Sequence, residues 1–124
     1  MAKVLSMGGV FFRSRDPESL GNWYRRWLGV ENEHPHGASF QVTAMPPGGV
    51  TVWSPFPSET EYFGPSGQQF MVNLVVDDLD GALEQVRSGG AEVAGREDHD
   101  YGSFGWFVDP DGNRVELWQP KLPG

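Results

Sequence analysis

Two predicted strands and the turn between them occupy one stretch near the C-terminus, Phe107-Val108-Asp109-Pro110-Asp111-Gly112-Asn113-Arg114-Val115-Glu116-Leu117-Trp118. The turn has Asp, Pro and Gly at the positions that a type I turn favours. Because successive strand residues point to opposite faces, Val115 and Leu117 share one face, and Glu116 and Trp118 share the other. The stretch therefore predicts a strand pair with one apolar face and one mixed face.

The end of this stretch is repeated earlier in the chain. Val50-Thr51-Val52-Trp53-Ser54-Pro55 corresponds to Val115-Glu116-Leu117-Trp118-Gln119-Pro120 at an offset of 65 residues (118 − 53 = 65). The same offset matches Gln41 to Trp106. Self-similarity of this kind indicates one supersecondary unit used twice. The copies differ where Thr51 stands in place of Glu116.

Each half shows the same order of predicted elements, a strand, a helix and then further strands. The first helix is expected between an N-cap at Asp16 and a stop at Gly29, and the second has its apolar stripe at Leu79, Leu83 and Val86. Strands are predicted at 8–15, 38–44, 49–54, 70–76, 91–94, 103–108 and 113–119. We expect one domain, 1–124, with a first module at 1–55, a connector at 56–67 and a second module at 68–120.

Composition excludes several classes of function. The chain has 124 residues, 38% of them hydrophobic, which suits one folded domain. A net charge of −8 argues against nucleic acid or an anionic membrane as a partner. The absence of cysteine excludes disulfides, thiolate metal sites and a cysteine nucleophile. We see no signal peptide and no apolar run of roughly 20 residues, so a cytoplasmic location is expected.

The chain resembles the glyoxalase/bleomycin-resistance/dioxygenase superfamily, whose members are also called vicinal oxygen chelate proteins. The resemblance rests on Arg15-Asp16-Pro17, Trp23-Tyr24, Leu28-Gly29, Val76-Asp77-Asp78-Leu79 and above all the stretch at 107–118. It implies an α+β fold in which two βαβββ modules form curved mixed sheets around a shared cavity. It also implies a cavity that is completed or reinforced by dimerisation, so we expect a homodimer.

Strand alternation, together with the repeat, predicts which side chains face the cavity. They are large aromatic residues mixed with a few polar ones, namely Phe11, Arg13, Gln41, Thr51, Trp53, Met71, Asn73, Trp106, Glu116 and Trp118. This composition is typical of a small-molecule site. A second core or a dimer interface, where tryptophan is also enriched, is the alternative.

Metal-dependent members of the superfamily place ligands at four positions, and the resemblance maps these onto Gly9, Thr51, Met71 and Glu116. Divalent metals need several imidazole, carboxylate or amide donors, and these positions offer a single carboxylate. We therefore expect no family-type metal centre and no cofactor. An atypical site at His34, His36 or His99 is the minor alternative, because all three lie in predicted solvated loops.

Glu116 is the candidate catalytic or ligand-anchoring residue. A carboxylate among tryptophans loses solvation, so it needs a cation or hydrogen-bond donors nearby. Arg13 is the nearest predicted partner on the same face, and the resemblance to glyoxalase-I-like members gives an arginine at this position a role in holding a substrate carboxylate. An ordinary buried acid with satisfied hydrogen bonds is the alternative for Glu116.

The sequence favours a protein that binds a small organic molecule, aromatic or cationic, in an aromatic cavity without metal. Trp53, Trp106 and Trp118 would stack on planar groups, and Glu116 would favour a cationic one. One alternative is a lyase, isomerase or dioxygenase of the same superfamily that uses Glu116 as a base or metal ligand. The other is a non-catalytic accessory or regulatory subunit.

Overall fold

The computed structural model describes residues 1–121. It contains helices α1 (Pro17–Leu28) and α2 (Leu79–Ser88), and strands β1 (Asn32–Glu33), β2 (Gly37–Ala38), β3 (Asn73–Val75), β4 (Glu92–His99), β5 (Gly102–Val108) and β6 (Arg114–Pro120). Strands β1 and β2 form a short antiparallel ladder. The main sheet has the order β3-β6-β5-β4, with β3 parallel to β6 and the other neighbours antiparallel. The predicted α+β class with a mixed sheet is confirmed.

Both helices begin and end where local signals predict. The Asp16 carboxylate accepts a hydrogen bond from the Ser19 backbone N–H at 3.1 Å, which satisfies a free donor of the first turn. Gly29 ends α1 with a φ of 65°, a left-handed conformation that glycine adopts without strain. At the start of α2, the Asp78 carboxylate accepts from the Gly81 N–H at 3.0 Å.

The core lies between α2 and one face of the main sheet. Its buried residues are Leu79, Ala82, Leu83 and Val86 of α2 and Phe107, Val115 and Leu117 of the sheet. Burial of each large apolar side chain contributes about 1.5–3 kcal/mol to folding. Helix α1 packs beside this core through Trp23, Tyr24 and Leu28. The apolar face predicted for β6 is therefore the helix-covered one, and the mixed face points away from the helices.

A side chain extends the pairing between β3 and β6 beyond the end of β3. The Oε1 atom of Gln68 accepts from the Arg114 backbone N–H at 2.8 Å, and its Nε2 atom donates to the Arg114 carbonyl at 2.9 Å. The carboxamide thus bonds the first residue of β6 as a peptide group of a neighbouring strand would.

The first half differs from the prediction. No strand forms at 8–15 or 49–54, and the predicted strand at 38–44 is reduced to the end of β2 and a 3-10 turn at Val42–Ala44. The predicted strands there are therefore wrong. Alternating residues favour an extended backbone, but a strand also needs a neighbour for its N–H and C=O groups. Within residues 1–121 these segments have no ladder partner.

Strand β4 is longer than predicted, because it includes Glu97, Asp98 and His99, which the sequence placed in a loop. A register shift between Val93 and Gly95 marks a bulge in its pairing with β5. His34 and His36 lie exposed between β1 and β2, in the predicted turn. Neither α1 nor α2 has the length and apolar content that a membrane span requires.

Candidate functional site

Glu116 lies in the middle of β6, on the sheet face that points away from the helices. Its cross-strand neighbours are Asn73 on β3 and Trp106 on β5. Because β6 is an interior strand, these neighbours enclose the carboxylate, and Glu116 is only 7% exposed. A buried carboxylate at this depth needs donors to replace the lost water.

Three side chains supply those donors. Asn73 Nδ2 donates to Glu116 Oε1 at 2.6 Å, and Trp106 Nε1 donates to Oε2 at 2.8 Å. The hydroxyl of Tyr62 also donates to Oε2. A carboxylate has about four acceptor positions, so the three bonds fill most of them. The donors compensate the burial of Glu116, which forms no salt bridge in the described part of the chain.

Arg13 does not take part in this arrangement. It is exposed, and it is not among the hydrogen-bond partners of Glu116 in the described part of the chain. The hypothesis that the two side chains pair is therefore wrong for this structure. Its physical basis was correct, since the buried carboxylate does need partners, but the partners are neutral donors.

Beside Glu116, the same face of the sheet carries three aromatic side chains, which we call the aromatic wall, namely Phe104, Trp106 and Trp118. Trp118 stacks on Phe104, its cross-strand neighbour, with ring centroids 5.9 Å apart and ring planes 2° from parallel. An open cleft of about 360 Å³ lies beside Trp118, and its lining includes Val50 and Tyr101. Phe104 was missed as a site residue, although its position two residues before Trp106 in the same strand places it on the site face.

The connector covers the other end of the wall. The Tyr62 ring meets the Trp106 ring edge to face, with centroids 5.9 Å apart, and also stacks on Phe56 at 5.5 Å. Phe63 completes this aromatic cluster at 5.1 Å from Phe56. Burial, followed by the hydrogen bond to Glu116, raises the pKa of Tyr62, so its hydroxyl stays protonated and can donate. Sequence reasoning missed Tyr62, because the connector has no periodicity.

The structure brings together four of the ten predicted site residues, Asn73, Trp106, Glu116 and Trp118, on one sheet face. Met71 is half-buried just before β3. The remaining five, Phe11, Arg13, Gln41, Thr51 and Trp53, are exposed and lie outside the strands. Phe11 is 99% exposed and Trp53 is 80% exposed, so neither belongs to an enclosed wall here. A binding role for these five stays a prediction.

The four positions at which metal-dependent relatives carry ligands do not suit a divalent metal ion. Gly9 has no side chain, Thr51 is exposed, Met71 offers a thioether, and the oxygens of Glu116 already accept three hydrogen bonds. Across residues 1–121, no group of three or more His, Asp or Glu side chains could hold a metal ion. We therefore assign no chemical step to a metal.

The sequence matches a known family model. The family model described as "Glyoxalase-like domain" matches residues 9–118, which is most of the chain. The chain belongs to the glyoxalase-like domain family. The superfamily resemblance predicted from the stretch at 107–118 is thereby confirmed. No curated protein matches the chain.

Solved structures agree with the family. TnmS3, described as an antibiotic binding protein from Streptomyces sp. CB03234, is 25% identical, with a TM-score of 0.57 over 97% of this chain and 100% of that one. A glyoxalase/bleomycin resistance protein/dioxygenase superfamily member from Sphaerobacter thermophilus DSM 20745 is 22% identical, with a TM-score of 0.54 over 94% and 98%. An integron cassette protein from V. cholerae is 16% identical, with a TM-score of 0.58 over 96% and 98%. The last two likenesses concern the fold alone.

Proposed function

We propose that this glyoxalase-like protein binds a planar aromatic small molecule against the sheet face that carries Trp106, Glu116 and Trp118. The observation that carries the proposal is the buried Glu116 carboxylate, held by three donors within an aromatic wall. An apolar surface with a few fixed polar groups is the usual composition of a small-molecule site. The likeness to TnmS3, an antibiotic binding protein, supports the same class of function.

Binding is favoured over catalysis by the state of Glu116. A general base needs a lone pair directed at the proton that it removes. Both oxygens of Glu116 already accept hydrogen bonds from other side chains. Three of its roughly four acceptor positions are therefore occupied, which favours a role in holding an aromatic molecule over one in removing a proton.

Tryptophan fluorescence tests the proposal. A titration of the protein with planar aromatic compounds, neutral and cationic, should quench part of the emission and raise the melting temperature. Trp106→Phe and Trp118→Phe should each remove part of the quenching. Trp27→Phe is the matched control, because Trp27 lies on α1 against Gly89 and should leave the quenching intact. Absence of quenching and of a thermal shift across the panel would contradict the proposal.

The proposal includes a second copy of the chain as a partner. Phe11, Phe12, Phe40 and Trp53 of the first half are large apolar residues that lie exposed. Together they leave on the order of 600 Å² of aromatic surface in water. A stable dimer buries roughly 800 Å² from each partner, so a second copy that covered these side chains would bury a substantial part of that area. The cytoplasmic location expected from the sequence is kept as part of the proposal.

A further inference from the structure

Tyr62 differs from the other two donors to Glu116 in how it is held. Asn73 and Trp106 belong to β3 and β5, and the ladder of the sheet fixes both beside Glu116. Tyr62 lies in the connector, which forms no strand in the structure. The backbone hydrogen bonds around it are local turns, from Thr60 N to Pro57 O at 3.0 Å and from Gly64 N to Glu61 O at 3.0 Å. The phenol can therefore leave Glu116 without disturbing the sheet.

Tyr62 makes the contacts that a small aromatic ligand would make at this site. Its ring packs on Trp106, its hydroxyl donates to Glu116 Oε2, and it remains 38% exposed. Because the ring is reached from solvent, an incoming molecule can replace it from that side. The geometry points to Tyr62 as an internal occupant of the site, whose place is taken by a ligand that bears a phenolic hydroxyl.

This inference rests on the proposed function and names the ligand class. A phenol that displaces Tyr62 can make the same two contacts, since its ring can pack on Trp106 and its O–H can donate to Glu116. A cationic aromatic would meet charges of both signs at this site, the Glu116 carboxylate and the Arg114 guanidinium, whose central carbon lies 5.5 Å from the centre of a Trp106 ring. These two charges act on a cation in opposite senses, so a cation gains no clear advantage over a neutral phenol. We therefore infer a neutral phenol as the ligand class, and the cationic ligand expected from the sequence stays a prediction.

Calorimetric titration with three naphthalenes tests the ligand class on the unaltered protein. The probes are 2-naphthol, 2-methoxynaphthalene, which cannot donate, and the cation 2-naphthylmethylammonium. We expect 2-naphthol to bind about tenfold more tightly than 2-methoxynaphthalene, since a hydrogen bond to a charged acceptor changes an equilibrium constant by roughly this factor, and no less tightly than the cation. Equal binding of 2-naphthol and 2-methoxynaphthalene would overturn the inference and leave the proposed aromatic site intact. Failure of all three to bind would overturn both.

A variant tests the displacement itself. Tyr62→Phe keeps the ring and removes the competing hydroxyl, so the affinities for 2-naphthol and for 2-methoxynaphthalene should both rise about tenfold, because neither ligand then has to break the Tyr62–Glu116 hydrogen bond. Tyr24→Phe is the matched control, because it removes a tyrosine–carboxylate bond on the helix side of the sheet, to Asp109, and should leave both affinities unchanged. A loss of 2-naphthol affinity in Tyr62→Phe would mean that Tyr62 holds the ligand, and would overturn the displacement.

Discussion

Glu116 is an acidic side chain that is buried in a sheet and bonded by three neutral donors. Each of its three donors requires an acceptor. Glu116→Gln replaces one carboxylate oxygen by an NH2 group, and this group then faces a donor. We expect a loss of about 1–3 kcal/mol in the free energy of unfolding, because a buried donor is left unsatisfied. Urea unfolding measures it. Glu97→Gln on β4 is the control, since that side chain is 61% exposed and should change stability by no more than about 0.5 kcal/mol.

Tyr24 joins α1 to the turn between β5 and β6. Its hydroxyl donates to Asp109 Oδ2 at 2.9 Å. Burial, then the charge of Asp109, raises the pKa of Tyr24 above its usual value of 10.0. The folded state thus favours the neutral phenol, so this contribution to stability is complete below about pH 10 and falls as the pH rises further.

Tyr24→Phe should remove this pH dependence. At neutral pH we expect a loss of about 1–2 kcal/mol, because Asp109 is buried and loses a donor. Above the usual pKa of tyrosine, the difference between wild type and variant should shrink. Urea midpoints at neutral and alkaline pH measure both effects, with the exposed Tyr101→Phe as the control. A difference that stays constant with pH would argue against the buried contact.

At the scale of elements, Gly105 sets how closely β5 approaches α2. A Cβ atom at this position would lie 2.9 Å from Leu83 Cδ1 and 3.2 Å from Leu79 Cδ1, and both leucines are in the core. Gly105→Ala should therefore cost about 1–2 kcal/mol through overpacking. Thermal unfolding measures it. Gly8→Ala is the matched control, because nothing lies within 4 Å of its added Cβ. Equal stability of the two variants would contradict this packing.

The sequence predicted the helices better than the strands. Helix ends depend on signals within a few residues, such as the cap at Asp16 and the stop at Gly29, so both helices were predicted closely. Strands depend on partners that are distant in the sequence, and for this reason the predictions at 8–15 and 49–54 failed while β5 and β6 were found. In the site, alternation identified Glu116, and the internal repeat identified Trp106. Nothing periodic marks Tyr62, which reaches Glu116 from a segment without regular structure.

For the whole molecule, the exposed aromatics of the first half lead to a prediction about self-association. We expect sedimentation equilibrium to show a dimer, because burial of the exposed Phe11 and Trp53 side chains against a second copy is favourable. The double variant Phe11→Ser and Trp53→Ser should shift the equilibrium towards monomer. Arg87→Ser on α2 is the control, since its exposed side chain lies outside this apolar set. A wild-type protein that stays monomeric at all concentrations would contradict the proposed dimer.

The two hydrogen bonds between the Gln68 carboxamide and Arg114 have a consequence for isotope exchange. The amide proton of Arg114 is shielded by a side chain, so rotation of that one glutamine is enough to admit solvent. The backbone N–H of Glu116 donates to the Val72 carbonyl, with 3.0 Å between N and O. This bond opens only when the two backbones separate. Deuterium should therefore enter at Arg114 at nearly the rate of an unprotected amide, and at Glu116 only when the paired strands separate.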